Sequence, residues 1–392
     1  MTRVTVHEYA ASLAPRYRRA RRAEKGRILE EFCKATGMHR KAAIRLLGGV
    51  RPLKAGRKPR ARKYGVETAE ALKRLWEVGD RMCGKLLKGA IPELLEALER
   101  HGEMRVTPEV RSALLVVSPA TIDRLLRSHR TKERRQPMRA SPSSSSLRNQ
   151  VLVRTWSEWG GVEPGSLQCD LVLHCGESTE GFYLTTLTAV DVATGWTVLQ
   201  AVWGMGQSRV GGALHQVKLQ LPLNLRELHS DNGSEFINHL LVSWCQRQKI
   251  VFTRGRPYKK NDQAYVEQKN WVSVRRHVGH DRYNSKAAYA TLQQLYALLR
   301  LQTNFFRPVR KLIAKERHGA RTVKRYDEPQ TPYKRLLASG ALNETRQEAL
   351  AKQFSTLNPA ELHRKIESTL RRLWSLAAHR HQQSRKLGSQ FP

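Results

Sequence analysis

Three acidic residues stand where they could hold metal ions for chemistry on phosphodiesters. Asp170 lies in the run SLQCDLVLHC, Asp231 follows LRELHS, and Glu267 stands in KKNDQAYVEQKNW, with thirty-five residues between the second and third acids. Two Mg²⁺ ions about 3.5–4 Å apart activate the attacking oxygen and stabilise the leaving oxygen of an in-line displacement. Such hard ions prefer oxygen ligands. We therefore predict two Mg²⁺ ions, replaceable by Mn²⁺, with Asp170 bridging them, Asp231 on one and Glu267 on the other.

The neighbouring residues predict which elements position these acids. Polar and apolar side chains alternate from 167 to 174, so Asp170 projects from the strand face opposite Leu167 and Leu171. A carboxylate in a central strand is costly unless something neutralises it. Asp231 opens the turn between a strand and a helix beginning near residue 235, the carboxyl end of a strand, where sites in open α/β sheets lie. Glu267 comes early in a helix, after the basic loop RGRPYKKND.

The pattern from residue 151 onward predicts an α/β domain. Three strands joined by short turns predict an antiparallel meander, over 166–175, 182–191 and 195–203. Helices and strands then alternate, which implies crossover connections, over 206–220, 225–230, 235–249 and 250–253. This is the strand order of the ribonuclease H-like fold. We therefore predict a ribonuclease H-like mixed five-stranded sheet with flanking helices, followed by helices over 265–280 and 284–303.

Three segments of this domain resemble the integrase catalytic core shared by retroviral integrases and many bacterial insertion-sequence transposases. That family's signature is Asp, Asp and a Glu thirty-five residues beyond the second Asp. The matching words are QCDLV, HSDNGSEF and RGRPYKKNDQAYVEQKNW. The resemblance covers under half the chain, but three motifs in order at this spacing make it specific. It implies a DDE-type transposase that cleaves DNA ends and joins their 3′-hydroxyls to target DNA.

The resemblance also implies DNA contacts beside the acids. Asn270 stands one turn beyond Glu267 and faces the same side. Cations of the preceding loop and of this helix are expected near the phosphates; they are Arg254, Arg256, Lys259, Lys260 and Lys269. The zinc-binding His-His-Cys-Cys module of retroviral integrases is absent from this sequence, so recognition of the DNA ends falls to the N-terminal region.

The N-terminal region has the pattern of a helix, a turn and a second helix over 25–48, with Gly37 in the break. The second helix carries Arg40, Lys41 and Arg45 on its polar face, as a helix-turn-helix needs in a major groove. An ordinary helical hairpin with a solvated basic face fits the same pattern. The arm that follows is suited to a minor groove or to a solubilising linker; its cations include Arg57, Lys58 and Arg60.

Local sequence signals predict helices and a linker in the rest of the chain. Amphipathic spacing predicts helices within 64–105, and Thr107-Pro108 and Ser118-Pro119 each predict a helix start. A basic stretch rich in Ser and Pro predicts a flexible linker. The predicted domains are 1–50 helix-turn-helix, 51–63 basic arm, 64–130 second helical DNA-binding region, 131–150 linker, 151–310 catalytic core and 311–392 helical C-terminal region.

Composition limits the partners and the compartment. The 392 residues carry a formal net charge of +36, which indicates a polyanionic partner. We expect double-stranded DNA, bound by a homo-oligomer. No stretch of about twenty apolar residues occurs, which predicts a cytoplasmic, nucleoid-associated protein without membrane contact. The five cysteines form no CxxC pair and are expected to be reduced thiols.

Several polar residues have ordinary structural explanations. Asp-Asn-Gly is a common turn by itself, and Asp262 competes with Glu267 as third acid. Asp191 fits a turn residue, Glu235 fits a carboxylate favoured at a helix N-terminus, and His174 lacks a zinc-ligand spacing. Two other functions stay open for the whole chain, a catalytically silent DNA-binding protein derived from a transposase and a ribonuclease H-like nuclease.

Overall fold

The computed structural model of the chain describes residues 1–49, 64–130, 151–154, 159–231, 233–256, 260–319 and 321–378. It separates the chain into two compact units, Met1–Lys63 and Tyr64–Pro392. The predicted basic arm with Arg57, Lys58 and Arg60, the predicted linker over 131–150, and Lys259 lie outside the described residues. In the described ranges, every helix falls short of the length and apolar character that a membrane span requires.

The described part of the first unit consists of helices packed on one small core. Their bounds are α1 Arg3–Arg19, α2 Arg22–Thr36 and α3 Arg40–Gly48. Gly37 ends α2 with φ of 69°, a left-handed conformation that glycine adopts readily. The buried side chains come from all three helices, including Ala10, Phe32 and Leu47. The helix, turn and helix predicted over 25–48 are present as α2 and α3, whereas α1 was not predicted.

The second unit begins with helices that the sequence marks clearly. They are α4 Val66–Val78, α5 Gly84–Arg100, α6 Pro108–Val116 and α7 Pro119–Leu125. Thr107 and Ser118 each accept a hydrogen bond from a backbone N–H of the helix they precede, and a proline occupies each first turn. Both predicted helix starts are confirmed. The apolar faces of these helices belong to the same core as the sheet.

The sheet in the described residues has six strands in the order β1-β6-β5-β2-β3-β4. Their bounds are β1 Leu152–Val153, β2 Ser166–Leu173, β3 Thr185–Asp191, β4 Thr197–Val202, β5 Glu227–Ser230 and β6 Val251–Arg254. Strands β2, β3 and β4 form the predicted antiparallel meander, and β5 and β6 add parallel to β2. The fold is therefore ribonuclease H-like. The predicted five strands gain a sixth, because β1 is too short to show an alternating pattern.

The crossover helices are α8 Gln207–Gln220 and α9 His239–Arg247. The sequence predicted the second helix from Glu235, but it begins four residues later. The reason is Asn238, whose side-chain oxygen accepts a hydrogen bond from the Leu241 N–H at 2.9 Å and caps the helix.

Two long helical segments follow the sheet, as predicted, but each contains a π-helical turn. The first comprises α10 Ala264–Lys269, the π-helix Asn270–Arg275 and α11 Arg276–Val278. The second comprises α12 Lys286–Leu301 and the π-helix Gln302–Phe306. Such turns are common at functional sites. Apolar spacing did not predict them.

The C-terminal part combines a β-hairpin with helices. The hairpin consists of β7 Leu312–His318 and β8 Arg321–Tyr326. The helices are α13 Pro332–Ala338, α14 Glu344–Thr356 and α15 Pro359–Ser375. The predicted helical region over 311–392 missed the hairpin, because its strands are mostly polar and exposed. Helix α15 buries the four residues predicted at helical spacing, Leu362, Ile366, Leu370 and Leu373.

A buried group of charges joins the α4–α5 loop to the helices beyond the sheet. Asp80 forms ion pairs with Arg276 at 3.1 Å, with His277 at 3.2 Å and with Arg307. Burial alone would raise the pKa of Asp80, but His277, Arg307 and Arg276 together hold it well below its usual value. Asp80 and Arg81 have φ of 60° and 48°. The ion pairs therefore also hold a backbone conformation that costs free energy for residues other than glycine.

We expect Asp80→Ala to lower the free energy of unfolding by about 3 kcal/mol, because it leaves buried cations without their partner. Urea denaturation measures this. Glu361→Gln is the control, since it removes an exposed pair with Lys365 and should change the midpoint little. The folded-state pKa of Asp80 is depressed, so its stabilisation is present above about pH 4 and is lost as the pH falls further. A difference between natural chain and Asp80→Ala that persists unchanged at low pH would contradict this assignment.

Candidate active site

Asp170 lies in the middle of β2, opposite Thr188 of β3. Its half-buried carboxylate accepts two hydrogen bonds, from the Leu171 N–H at 2.8 Å and from Asn270 Nδ2 at 2.6 Å. The second bond crosses from the strand to the helical segment that contains Glu267. Asn270 was predicted on the side of Glu267, and the structure brings it directly to Asp170.

Asp231 follows the last residue of β5, the strand beside β2. One of its carboxylate oxygens accepts a hydrogen bond from the Gly233 N–H at 2.9 Å, which closes a tight turn after the strand. This is the predicted position at the carboxyl end of a parallel strand. Glu267 lies in the six-residue helix α10 and is exposed.

The charges of these acids act on one another. The pKa of Asp170 is raised to about 8, first by burial, then by the Asp231 carboxylate and to a smaller extent by Glu267. The hydrogen bonds from Leu171 and Asn270 act in the opposite direction. The structure thus brings Asp231 and Glu267 close enough to act on the charge of Asp170. Like charges on neighbouring carboxylates are a usual sign of a site that binds cations or protons.

Glu235 is a fourth acid of this group, and sequence reasoning assigned it to a helix end. The helix starts beyond it, and the pKa of Glu235 is raised by burial and by the charge of Asp231. The sequence signal for this fourth acid was the presence of two acids in the segment SDNGSEF. Spacing alone, however, does not distinguish a non-helical turn from the first turn of a helix.

The donor chemistry of the group suits a hard divalent cation, since carboxylate oxygens dominate it. The side-chain oxygen of Asn270 is buried beside Asp170 and has no hydrogen-bond partner. In the described ranges, however, no three His, Cys, Asp or Glu side chains are grouped closely enough to hold a metal ion. The acids are electrostatic neighbours without forming a closed ligand cluster.

Gln168 fixes the helix of Glu267 to the strand of Asp170. It lies two residues before Asp170 on the same face of β2 and is fully buried. Its Nε2 donates to the Asp262 carbonyl at 2.9 Å, and its Oε1 accepts from the N–H groups of Tyr265 and Val266 at 3.2 and 3.3 Å. These amides belong to the first turn of α10, whose N–H groups have no partner within the helix. Sequence reasoning missed this residue, although its alternation with Asp170 placed both on one face.

The predicted phosphate-contacting residues divide in the structure. Lys269 is only 4% exposed, and its pKa is lowered to about 7 by burial and by Arg307. Its predicted contact with DNA phosphates is therefore not available in this conformation. Arg254 is half-buried and donates to the Val151 carbonyl at 3.2 Å. Of Lys260, the structure describes only the backbone.

Arg256 is held by Asp262 through two side-chain hydrogen bonds, both 2.9 Å. Asp262 is fully buried in this ion pair, which explains why it does not replace Glu267 in the acidic group. Asp191 is also fully buried, and accepts from Gly165 and Thr194, so its turn role is confirmed. His174 is buried in the core against Thr186 at 2.6 Å.

On the described surface of the first unit, the predicted groove-contacting cations of α3 are exposed; they are Arg40, Lys41 and Arg45. His39 caps this helix by accepting from the Lys41 N–H at 3.3 Å. The geometry leaves the outer face of α3 open, which is compatible with the predicted role in DNA recognition.

The chain is similar to several known proteins. Residues 163–260 match the integrase core domain family. The uncharacterized protein y4rM of Sinorhizobium fredii is 44% identical over 328 residues, which cover 84% of this chain and 94% of that protein. Among solved structures, the catalytic core domain of BIV integrase covers 45% of this chain and 95% of its own, at 20% identity and a TM-score of 0.29. The HTLV-2 integrase catalytic core domain in complex with magnesium covers 38% of this chain and 92% of its own, at 15% identity and a TM-score of 0.30.

The strand order and the matched family model define residues 163–260 as an integrase core domain of ribonuclease H-like fold. The chain belongs to the same family as y4rM, since the identity extends over most of both chains.

We expect Gln168→Leu to loosen the first turn of α10, because it removes the hydrogen bonds of this side chain to two N–H groups and one carbonyl. Each unsatisfied group costs on the order of 1–3 kcal/mol. Hydrogen exchange of the peptide over 264–278 should become faster than in the natural chain. Gln200→Leu is the control, since Gln200 lies on β4 and bonds to the Gln220 side chain at 3.0 Å. Unchanged exchange in the Gln168 variant would show that the hydrogen bonds of Gln168 do not hold the helix.

Proposed function

We propose that the chain is a DDE-type transposase that cleaves the ends of a DNA element and joins them to target DNA. Asp170, Asp231 and Glu267 would carry the reaction. The observation that supports this most directly is the position of Asp170, which lies in a central strand, accepts a hydrogen bond from Asn270 of the segment that contains Glu267, and has a pKa raised by burial and by the charges of Asp231 and Glu267. Burial and two neighbouring carboxylates disfavour the charged form of Asp170, so a bound cation would compensate a charge that the protein alone does not. The matched integrase core contains Asp170 and Asp231.

Divalent cations bound by Asp170, Asp231 and Glu267 would activate the attacking oxygen and stabilise the leaving oxygen of the phosphodiester. Mg²⁺ is the expected ion, with Mn²⁺ as a substitute. The residues of the chain then have separate tasks. Asn270 orients the Asp170 carboxylate through its Nδ2, and Gln168 holds the turn that presents Glu267. A water or a DNA 3′-hydroxyl could attack in line, so no covalent bond between protein and DNA is required.

Binding of the DNA ends is assigned to the N-terminal unit. Arg40, Lys41 and Arg45 form an exposed cationic face on α3, as groove-entering helices do. The net charge of +36 favours phosphate binding throughout. A reaction that brings two DNA ends together suggests a homo-oligomer.

The three acids are tested by Asp170→Asn, Asp231→Asn and Glu267→Gln in strand transfer of a labelled duplex carrying the element's end. Each change should reduce the joining rate at least about 100-fold, which corresponds to about 2.7 kcal/mol of transition-state stabilisation. Glu163→Gln is the matched control, because Glu163 is an exposed acid of the same domain and is paired with Arg226. Duplex binding should persist in all four variants.

Joining that continues in the three variants would overturn the assignment of the site. If the natural chain does not join DNA ends but cleaves an RNA–DNA hybrid, a ribonuclease H-like nuclease would be favoured instead. Duplex binding without any reaction in the natural chain, with Mg²⁺ and Mn²⁺ both tried, would favour the catalytically silent DNA-binding protein.

Cation binding has a readout that does not depend on activity. Mg²⁺ or Mn²⁺ should raise the thermal unfolding midpoint of the natural chain, by an amount equivalent to about 2.7 kcal/mol at a hundredfold excess over Kd. Asp170→Asn should abolish this rise. Without divalent ions the same variant should be at least as stable as the natural chain, because it removes a carboxyl group whose charged form is disfavoured in the folded chain. An equal metal-dependent rise in the variant would place the cation elsewhere.

A further inference from the structure

The hairpin of β7 and β8 has an unusual charge for a two-stranded sheet. Its strands carry five Lys and Arg residues and one acid, Glu316. Apart from Leu312, Ala314 and Val323, every residue of the two strands is exposed. A two-stranded ribbon with no apolar face is marginally stable by itself. Interactions with another molecule are a physical reason for such a ribbon.

The two faces of the hairpin differ in charge compensation. On one face, Glu316 lies 3.4 Å from His318 and 3.9 Å from Arg325. On the other face, Lys315 stands directly opposite Lys324, and Arg317 opposite Thr322. Within the described residues, no ion pair with an acid joins the three cations of this second face. Like charges directly opposite each other destabilise a strand pair. We call this surface, Lys315, Arg317, Thr322 and Lys324, the cationic face.

The base of the hairpin is fixed to the rest of the second unit. The Lys311 N–H donates to Asp327 at 2.6 Å, and Asp327 pairs with Arg335 of α13 at 2.7 Å. The Lys311 ammonium donates to the carbonyl of Ala193 in the β3–β4 turn. A ribbon anchored in this way has a defined direction, which a contact surface for a rigid partner requires.

The hairpin base also adjoins the helical segment of the candidate active site. Arg310 and Tyr326 line a cavity of about 260 Å³ together with Gln268, Lys269 and Val272, the residues that follow Glu267. The ribbon therefore begins beside the helix of the third acid. A polyanion lying along the ribbon would approach the candidate site from this side.

We propose that the cationic face binds the phosphates of double-stranded DNA next to the reacting bond, as a clamp separate from the N-terminal unit. The proposal rests on the proposed function in taking DNA as the substrate. A two-stranded ribbon fits the width of a duplex groove, and paired cations without acids match rows of phosphates. Single strands are bound chiefly by stacking on aromatic rings. The aromatic residue of the two strands, Tyr326, lies at the base of the hairpin, with the Arg310 guanidinium 5.2 Å from its ring centre.

The test uses the full chain without added divalent ions, so that binding is measured without reaction. A variant with Lys315→Gln, Arg317→Gln and Lys324→Gln removes the three charges. The control, Lys352→Gln with Arg371→Gln and Arg372→Gln, removes the same charge from exposed positions of α14 and α15. A third variant, Lys315→Arg with Lys324→Arg, keeps the charge. Fluorescence anisotropy gives the affinity for duplex and for single-stranded DNA over a salt series, and urea denaturation checks folding.

For duplex DNA, the hairpin variant should bind at least about tenfold more weakly than the natural chain. The slope of log affinity against log salt concentration should become shallower by about 2 to 3, because each lost phosphate contact changes this slope by about 0.9. The control and the charge-retaining variant should bind as the natural chain does. Natural affinity in the hairpin variant, an equal loss in the control, or a larger loss for single strands would each overturn the proposal. Failure of the proposed function appears separately, as joining that survives Glu267→Gln while these binding results stand unchanged.

Discussion

A pair of links between β2 and the segment of α10 governs the candidate site. Gln168 and Asp170 lie on the same face of one strand, and each makes hydrogen bonds to that segment, the first to its N-terminal turn and the second to Asn270. A strand is stiff, so two bonds two residues apart fix both the position and the rotation of the helix. Glu267 lies between the points of attachment. Asp170 and the helix that carries Glu267 are thus parts of one hydrogen-bonded unit.

The same segment is held from its other end. The π-helical turn after α10 leads into Arg276 and His277, which contact Asp80 in the α4–α5 loop. Arg307, beyond the second π-helical turn, reaches the same carboxylate. Helix α15 packs its apolar face on this assembly, and the Trp374 indole donates to the His277 carbonyl at 3.2 Å. Helices distant in sequence therefore support the strand and helix that present the acids, which accounts for a single core throughout the described second unit.

Charge is distributed unevenly in the molecule. The chain as a whole is strongly basic, yet Asp231 and Glu267 lie close enough to act on Asp170, and Asp231 also acts on Glu235. Some nearby cations are unable to neutralise them, because Arg256 is held by Asp262 and Lys269 is buried. A basic protein with a local acidic group attracts a polyanion over long distances while keeping a site for cations at the point of contact. This arrangement suits chemistry on a nucleic acid backbone.

The sequence by itself determined the class of fold and three of the four acids of the acidic group. Alternation placed Asp170 on a central strand, helix and strand periods gave the meander and the crossovers, and Ser, Thr and Pro marked helix starts, because these signals act within a few residues. The tertiary structure decided what depends on contacts between distant segments. Examples are the sixth strand, the position of Glu235 near Asp231, the burial of Lys269, the exposed hairpin and the hydrogen bonds of Gln168. Each depends on which neighbour a side chain meets after folding, and local spacing carries no information about that neighbour.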